Sequence, residues 1–144
     1  MGRGELTLEW LTPENCKGLI CLSGGPLGII ERLLMGKTPE EADAVTEQLK
    51  KAFPGRLYLE VQRAGRKGDD ALVAKMAGHS VAQKLPLVAT HPVQFLKKED
   101  FTAHEVRVCI AQGYVLADPK RPREYTPQQY FKTEEEMREL FSDI

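Results

Sequence analysis

Three short apolar runs, Gly18-Leu19-Ile20-Cys21-Leu22, Leu57-Tyr58-Leu59-Glu60-Val61 and Leu87-Val88-Ala89-Thr90, are each followed by turn-forming residues and then by a helical pattern. Runs of that length between helices read as buried strands of a parallel sheet. Parallel neighbours need a long crossover, which the intervening helices supply. The spacing predicts an α/β fold of about three parallel strands with flanking helices. It also places any site at the C-terminal strand ends.

The helices have their own signals. Ser23-Gly24-Gly25-Pro26 predicts a turn in which Pro26 opens a helix ending near Gly36. Thr38-Pro39-Glu40-Glu41 reads as a capping box, followed by Ala42, Val45, Leu49, Ala52 and Phe53 at helical spacing. A third helix, roughly Asp70 to Lys84, presents Leu72, Val73, Met76, Ala77, Ser80 and Val81 on one face and leaves His79 at its flank. A fourth begins near Asp100 or Thr102, with Thr102 and Glu105 as a second capping box. It is expected to bury Ala103, Val106, Cys109 and Ile110 before Gly113 caps it. The stretch Asp118 to Arg123 is basic and proline-rich, as a connector is. Capping signals at Thr126 and Thr133 follow, the second opening a helix with a stripe of Met137, Leu140, Phe141 and Ile144. Residues 1–117 thus read as a partial barrel and 118–144 as a connector and helix. A sheet of three strands has two open edges, so the chain is expected to be part of a larger (β/α) barrel.

Composition excludes several classes. With 20 basic and 21 acidic side chains the formal charge is −1, so no global field attracts nucleic acid or an anionic membrane. No apolar stretch approaches the ~20 residues of a membrane span, and the N-terminus lacks a signal pattern. Cys16, Cys21 and Cys109 are odd in number and lack Cys-x-x-Cys spacing, which suits reduced thiols in a soluble, cytoplasmic protein.

The candidate sites are few. Ser23-Gly24-Gly25 before a helix could cradle a phosphate, but no Gly-Lys-Ser or Gly-Lys-Thr follows, and the tight βα turn that the fold ordinarily needs is the preferred reading. His91 and His104 flank the end of the third strand and Glu60 lies on the second, so the three could meet at one metal ion. The alternative is structural: His104 covers a helix terminus, His91 takes the extended backbone that Pro92 imposes, and Glu60 pairs with a basic neighbour. Lys120, Arg121 and Arg123 beside Tyr125 are candidates for phosphate contact, or for a solvated connector. No cysteine has an evident base, so no catalytic nucleophile is assigned.

Longer stretches carry a resemblance: Leu-Ser-Gly-Gly-Pro-Leu-Gly at 22–28, Tyr-Leu-Glu-Val-Gln-Arg-Ala-Gly at 58–65, Val-Ala-Thr-His-Pro-Val-Gln-Phe at 88–95, Ala-His-Glu-Val-Arg-Val-Cys-Ile at 103–110 and Asp-Pro-Lys-Arg-Pro-Arg-Glu-Tyr-Thr-Pro-Gln-Gln-Tyr at 118–130. In order, and over nearly the whole chain from Leu19, they resemble the C-terminal half of the PHP (polymerase and histidinol phosphatase) domain of bacterial DNA polymerase III alpha subunits. The resemblance implies a partial TIM-like barrel within a replicative polymerase. In metal-binding members the barrel cleft holds ions on His, Asp and Glu, and some hydrolyse phosphoesters. Glu60 matches a family ligand. Ala64 stands where a histidine is expected, and Pro92-Val93-Gln94 where Asp-x-His is expected; none of these replaces an imidazole or carboxylate on Zn²⁺. His91 falls where the family often has asparagine, and His104 matches a structural Ala-His-Glu. The resemblance implies a degenerate segment without a catalytic residue or resident cofactor, serving as scaffold and docking surface. Its partners would be the remainder of the alpha subunit, the proofreading exonuclease subunit and, through the parent protein, DNA. The alternative is a phosphoesterase or 3'-5' exonuclease site using Zn or Mn on Glu60, His91 and His104.

Overall fold

The computed structural model describes residues 6–36 and 38–144, so the first five residues of the expected barrel segment lie outside it. Eight elements follow in order: β1 (Cys21–Leu22), α1 (Ile29–Met35), α2 (Pro39–Ala52), β2 (Leu57–Gln62), α3 (Asp69–Gln83), β3 (Leu87–Thr90), α4 (Phe101–Gln112) and α5 (Glu134–Leu140). The strands form the expected parallel sheet, in the order β1-β2-β3. Cys21 lies opposite Leu57 and Leu22 opposite Tyr58. The amides of Cys21 and Ser23 donate to the carbonyls of Arg56 and Tyr58 at 2.9 and 3.0 Å, and that of Leu59 to Pro86 at 3.0 Å.

The described residues divide into two compact units, the first running to Val61 and including Leu72–Val88, the second made of Gln62–Ala71 and Ala89–Ile144. In the first, Leu57, Leu59 and Val61 of central β2 are buried with Ile30, Val73 and Met76. Burial of such side chains is worth ~1.5–3 kcal/mol each before entropy is counted. Contrary to the sequence expectation, His79 is in this core and Val81, at 80% exposure, is outside it. The reason is polar: Thr46 of α2 donates to the Ala42 carbonyl at 2.7 Å and its hydroxyl oxygen meets His79 Nε2 at 2.9 Å. A buried imidazole with an acceptor costs little, and α3 turns that face inward.

The helix expected from Pro26 is broken. A 3₁₀ turn at Gly25–Leu27 precedes α1, with Gly28 between them. A Cβ at Gly28 would lie 2.1 Å from Glu31 Oε2 and 2.2 Å from the Ser23 carbonyl, so only glycine allows this approach. Thr38 precedes α2 without the expected cap; its hydroxyl donates to the Leu33 carbonyl at 3.3 Å.

In the second unit, α4 buries His104, Glu105 and Cys109, whereas Ala103, Val106 and Ile110, expected inside, are exposed. Arg121 from the connector pairs with Glu105, and His104 packs against Phe95 and Tyr125, so a polar segment covers the other face of α4. Thr102 lies inside α4 rather than capping it. Thr126 closes a turn, its amide donating to Gln129 Oε1 at 2.9 Å. Thr133 forms the expected capping box with Glu136, at 2.8 and 3.2 Å. Of the stripe on α5 and beyond, Phe141 is buried, under the Arg63 guanidinium at 5.3 Å, and Ile144 remains half exposed.

Gly28→Ala is expected to cost about 1–3 kcal/mol through the close contacts a methyl group would meet. Gly78→Ala, in an open part of α3, should gain about 0.5–1 kcal/mol. Urea denaturation of both variants checks the pair; similar midpoints would contradict it.

Candidate functional site

Glu60 and its surroundings belong to the first unit. Its amide donates to Ser23 Oγ at 2.8 Å, and that hydroxyl donates to the Glu31 carboxyl. Glu31 is 1% exposed, and its Oε2 has no hydrogen-bond partner. Burial pushes the Glu31 pKa up, against the Ser23 bond and nearby amides, and the charge of Glu60 raises it further. The start of α1 and the middle of β2 therefore carry two neighbouring carboxyls, and burial raises the pKa of the one on α1. Cys21 is pushed up by burial, then by Cys16 and Glu31, the opposite of an activated thiol. Glu31 was missed in the sequence because a charge within Ile29-Ile30-Glu31-Arg32 reads as a solvated helix position.

His91 belongs to the second unit. Its Nε2 lies 2.7 Å from the Gln128 carbonyl, which can only accept, so Nε2 carries the proton. Nδ1 is buried without a hydrogen bond, although the Arg63 carbonyl approaches the ring. Burial lowers the His91 pKa, as do the cations Lys132 and Arg66. The segment carrying Gln128 also secures the neighbouring positions. Thr126 Oγ1 donates to the Ala64 carbonyl, Gln129 Nε2 donates to Pro92 at 3.1 Å, and the Gln94 amide donates to Gln129 at 2.8 Å. Ala64 is fully buried, its amide on Asp69 at 2.7 Å.

His104 has a different environment from His91. Its Nδ1 accepts from Arg107 Nη2 at 3.3 Å, and the ring lies 5.4 Å from Phe95 and 4.7 Å from Tyr125. Burial, then the Arg107 charge, lowers its pKa. Among the described residues no three His, Cys, Asp or Glu side chains are grouped to hold a metal ion. Of the basic candidates, Lys120 and Arg123 are exposed, while Arg121 donates to Glu105 and, at 3.0 Å, to the Leu116 carbonyl.

Two further arrangements invite a chemical reading. A cleft of about 210 Å³ is lined by Arg63, Arg66, Gln128 and Lys132. Its cations are committed: Arg63 pairs with Asp70 and Asp143, Arg66 with Asp69 at 3.2 Å, and Lys132 sits 3.7 Å over the Tyr130 ring. Thr46, His79 and Asp43 follow the order of a hydroxyl–imidazole–carboxylate triad, with His79 Nδ1 3.6 Å from Asp43. Thr46 is fully buried and gives its proton to Ala42, so it has no role as a nucleophile.

Residues 2–64 match the PHP domain model. Over 94% of its length the chain is 46% identical to DNA polymerase III subunit alpha of Pseudomonas fluorescens and 44% identical to that of Escherichia coli K12. The chain is homologous to DNA polymerase III subunit alpha. The Pseudomonas aeruginosa subunit is 43% identical over 98% of the chain. The chain spans 12% of the length of these alpha subunits. The likeness to DNA polymerase III subunit alpha extends over nearly the whole chain, well beyond the PHP match. No helix among the described residues is long and apolar enough to cross a membrane.

A carboxyl whose folded pKa is raised contributes stability fully present below its unfolded pKa and lost as pH rises through the folded value. Glu31→Gln, which stays neutral and keeps an acceptor for Ser23, should therefore stabilise the chain at about pH 7 and bring no gain below about pH 4. Denaturation midpoints at both pH values test this; equal gains at both would contradict it.

Proposed function

We propose that the chain is the PHP segment of a replicative, cytoplasmic DNA polymerase alpha subunit, acting as scaffold and docking surface rather than as a catalyst. The observation that supports this most is the state of the family's ligand positions in the second unit. Ala64, Pro92 and Gln94 offer no imidazole or carboxylate and are bonded to the 126–129 segment, and the nearest imidazole, His91, has Arg66 and Lys132 beside it. Cations beside a ligand oppose a metal ion. Val106 and Ile110 of α4, with Tyr114, Val115 and Leu116 after it, present exposed apolar surface suited to a protein partner. The partner of this reading is the separate proofreading exonuclease subunit. Nucleotidyl transfer, and any approach of Lys120 and Arg123 to DNA, belong to the whole polymerase.

One observation favours a second reading, a metal-dependent phosphoesterase. His91 donates through Nε2 to a backbone carbonyl and leaves Nδ1 without a partner, the pattern of many metal-ligating histidines. Where Zn or Mn binds in the second unit, His91 is the residue to hold it through Nδ1, and the ion would activate water.

Titration calorimetry separates the two readings. The docking reading expects the chain to bind the exonuclease subunit and to show no stoichiometric Zn²⁺ or Mn²⁺ binding; His91→Ala should leave exonuclease affinity unchanged. Stoichiometric metal binding that His91→Ala abolishes would favour the phosphoesterase.

A further inference from the structure

The α4 surface offers more than apolar exposure. Ala103, Val106, Arg107, Ile110 and Tyr114 recur at helical spacing and are all exposed. Val106 is 41% and Ile110 77% exposed. Arg107 stands within this stripe, and unlike the exposed Arg123 of the connector it is held in place without a carboxylate. Arg63, Arg66, Arg121 and Arg138 each hold a carboxylate. Among the described residues, the bond recorded for the Arg107 side chain is to the His104 imidazole, where Nη2 donates to Nδ1 at 3.3 Å.

That bond orients the guanidinium without neutralising it. His104 is 6% exposed and clamped between the Phe95 and Tyr125 rings, so it is a fixed anchor for Arg107. The rest of the guanidinium fork remains for a planar oxyanion, the group that arginine recognises through two parallel bonds. A shallow cleft of about 250 Å³ adjoins it, lined by Gln94, Phe95, Asp100, Ala103, His104 and Arg107. Asp100 is the acid in that lining, and its Oδ2 accepts from the Lys97 amide at 2.9 Å. A cation already oriented, set in aliphatic surface beside an aromatic wall, is the composition of an interface hot spot.

We propose that Arg107 and the exposed face of α4 form a docking site for a protein segment that presents a carboxylate between apolar side chains. The carboxylate pairs with the Arg107 guanidinium, and the apolar neighbours cover Val106 and Ile110. A protein segment is favoured over nucleic acid because one arginine among aliphatic side chains complements a single acid in an apolar sequence, whereas a phosphate backbone calls for several cations in a row. His104 is a positioning residue here. The inference rests on the docking reading above and specifies the partner's chemistry.

The test is an NMR titration of the labelled full chain with the peptide acetyl-Leu-Asp-Leu-Phe-amide, its Asn-for-Asp counterpart and an oligothymidylate. Saturable shifts of the Arg107 Nε–H and the Ile110 methyls are expected with the Asp peptide. Affinity should fall roughly tenfold or more for the Asn peptide and for Arg107→Ala, with Arg107→Lys restoring part of it. Equal binding of both peptides, or Arg107 shifts caused by the oligothymidylate and not by the peptide, would overturn the proposal. Exonuclease binding is measured in parallel. If Arg107→Ala leaves it unchanged, the Arg107 site is overturned and the docking reading stands. If the chain takes the Asp peptide but not the exonuclease, the site stands and the exonuclease loses its place as partner.

Discussion

The central position of β2 is the constraint on which the first unit depends. A strand paired through Cys21 and Ser23 on one side and to Pro86 on the other puts its alternate residues Leu57, Leu59 and Val61 on one covered face, so these three must be apolar, while Tyr58, Glu60 and Gln62 take the other face. Parallel pairing then requires helices between the strands, and those helices supply Ile30, Val73 and Met76 to the core. Glu60 is the charged residue of that strand, and it lies beside a second carboxyl, Glu31. Ser23 links them, accepting from the amide of one and donating to the carboxyl of the other. Local sequence departs from a regular βα turn here, at Gly28, because a buried acid needs both the hydroxyl and the close approach.

The second unit is organised by hydrogen bonds and an ion pair made by its C-terminal half. Residues 126–129 reach Ala64, His91, Pro92 and Gln94, and Arg121 reaches Glu105. These bonds occupy groups at the strand ends and turn α4 so that its charged and imidazole side chains are covered. The same rotation leaves Val106 and Ile110 outside. Fixing the strand ends and exposing an apolar helix face are thus consequences of one arrangement. Ala64, Pro92 and Gln94, bonded to the 126–129 segment, carry neither a carboxylate nor an imidazole.

Much of the fold was legible in the chain itself. Apolar runs of strand length, turn residues after them and Pro54-Gly55 after α2 determine a parallel α/β arrangement, because backbone sterics and hydrophobic periodicity are local properties. The capping box at Thr133 was likewise readable. Sites were less so. Glu60 and His91 stood out in the sequence only as candidates, and Glu31 not at all, since its place in Ile29-Ile30-Glu31-Arg32 has the form of a solvated helix residue.

What only the tertiary structure decided is which face of each amphipathic helix turns inward. In α3 and α4 apolar residues occur on more than one side, so periodicity offers two solutions of similar hydrophobic gain. A polar partner on another element chooses between them: Thr46 for His79, Arg121 for Glu105 and the Phe95–Tyr125 pair for His104. Those partners are distant in sequence, and a hydrogen bond or ion pair leaves no periodic trace at either end. The sequence by itself determined the strands, the helices and their alternation, because those depend on neighbours along the chain. The buried carboxyl beside Glu60, the His91 bond to Gln128 and the exposed Arg107 surface depend on neighbours in space.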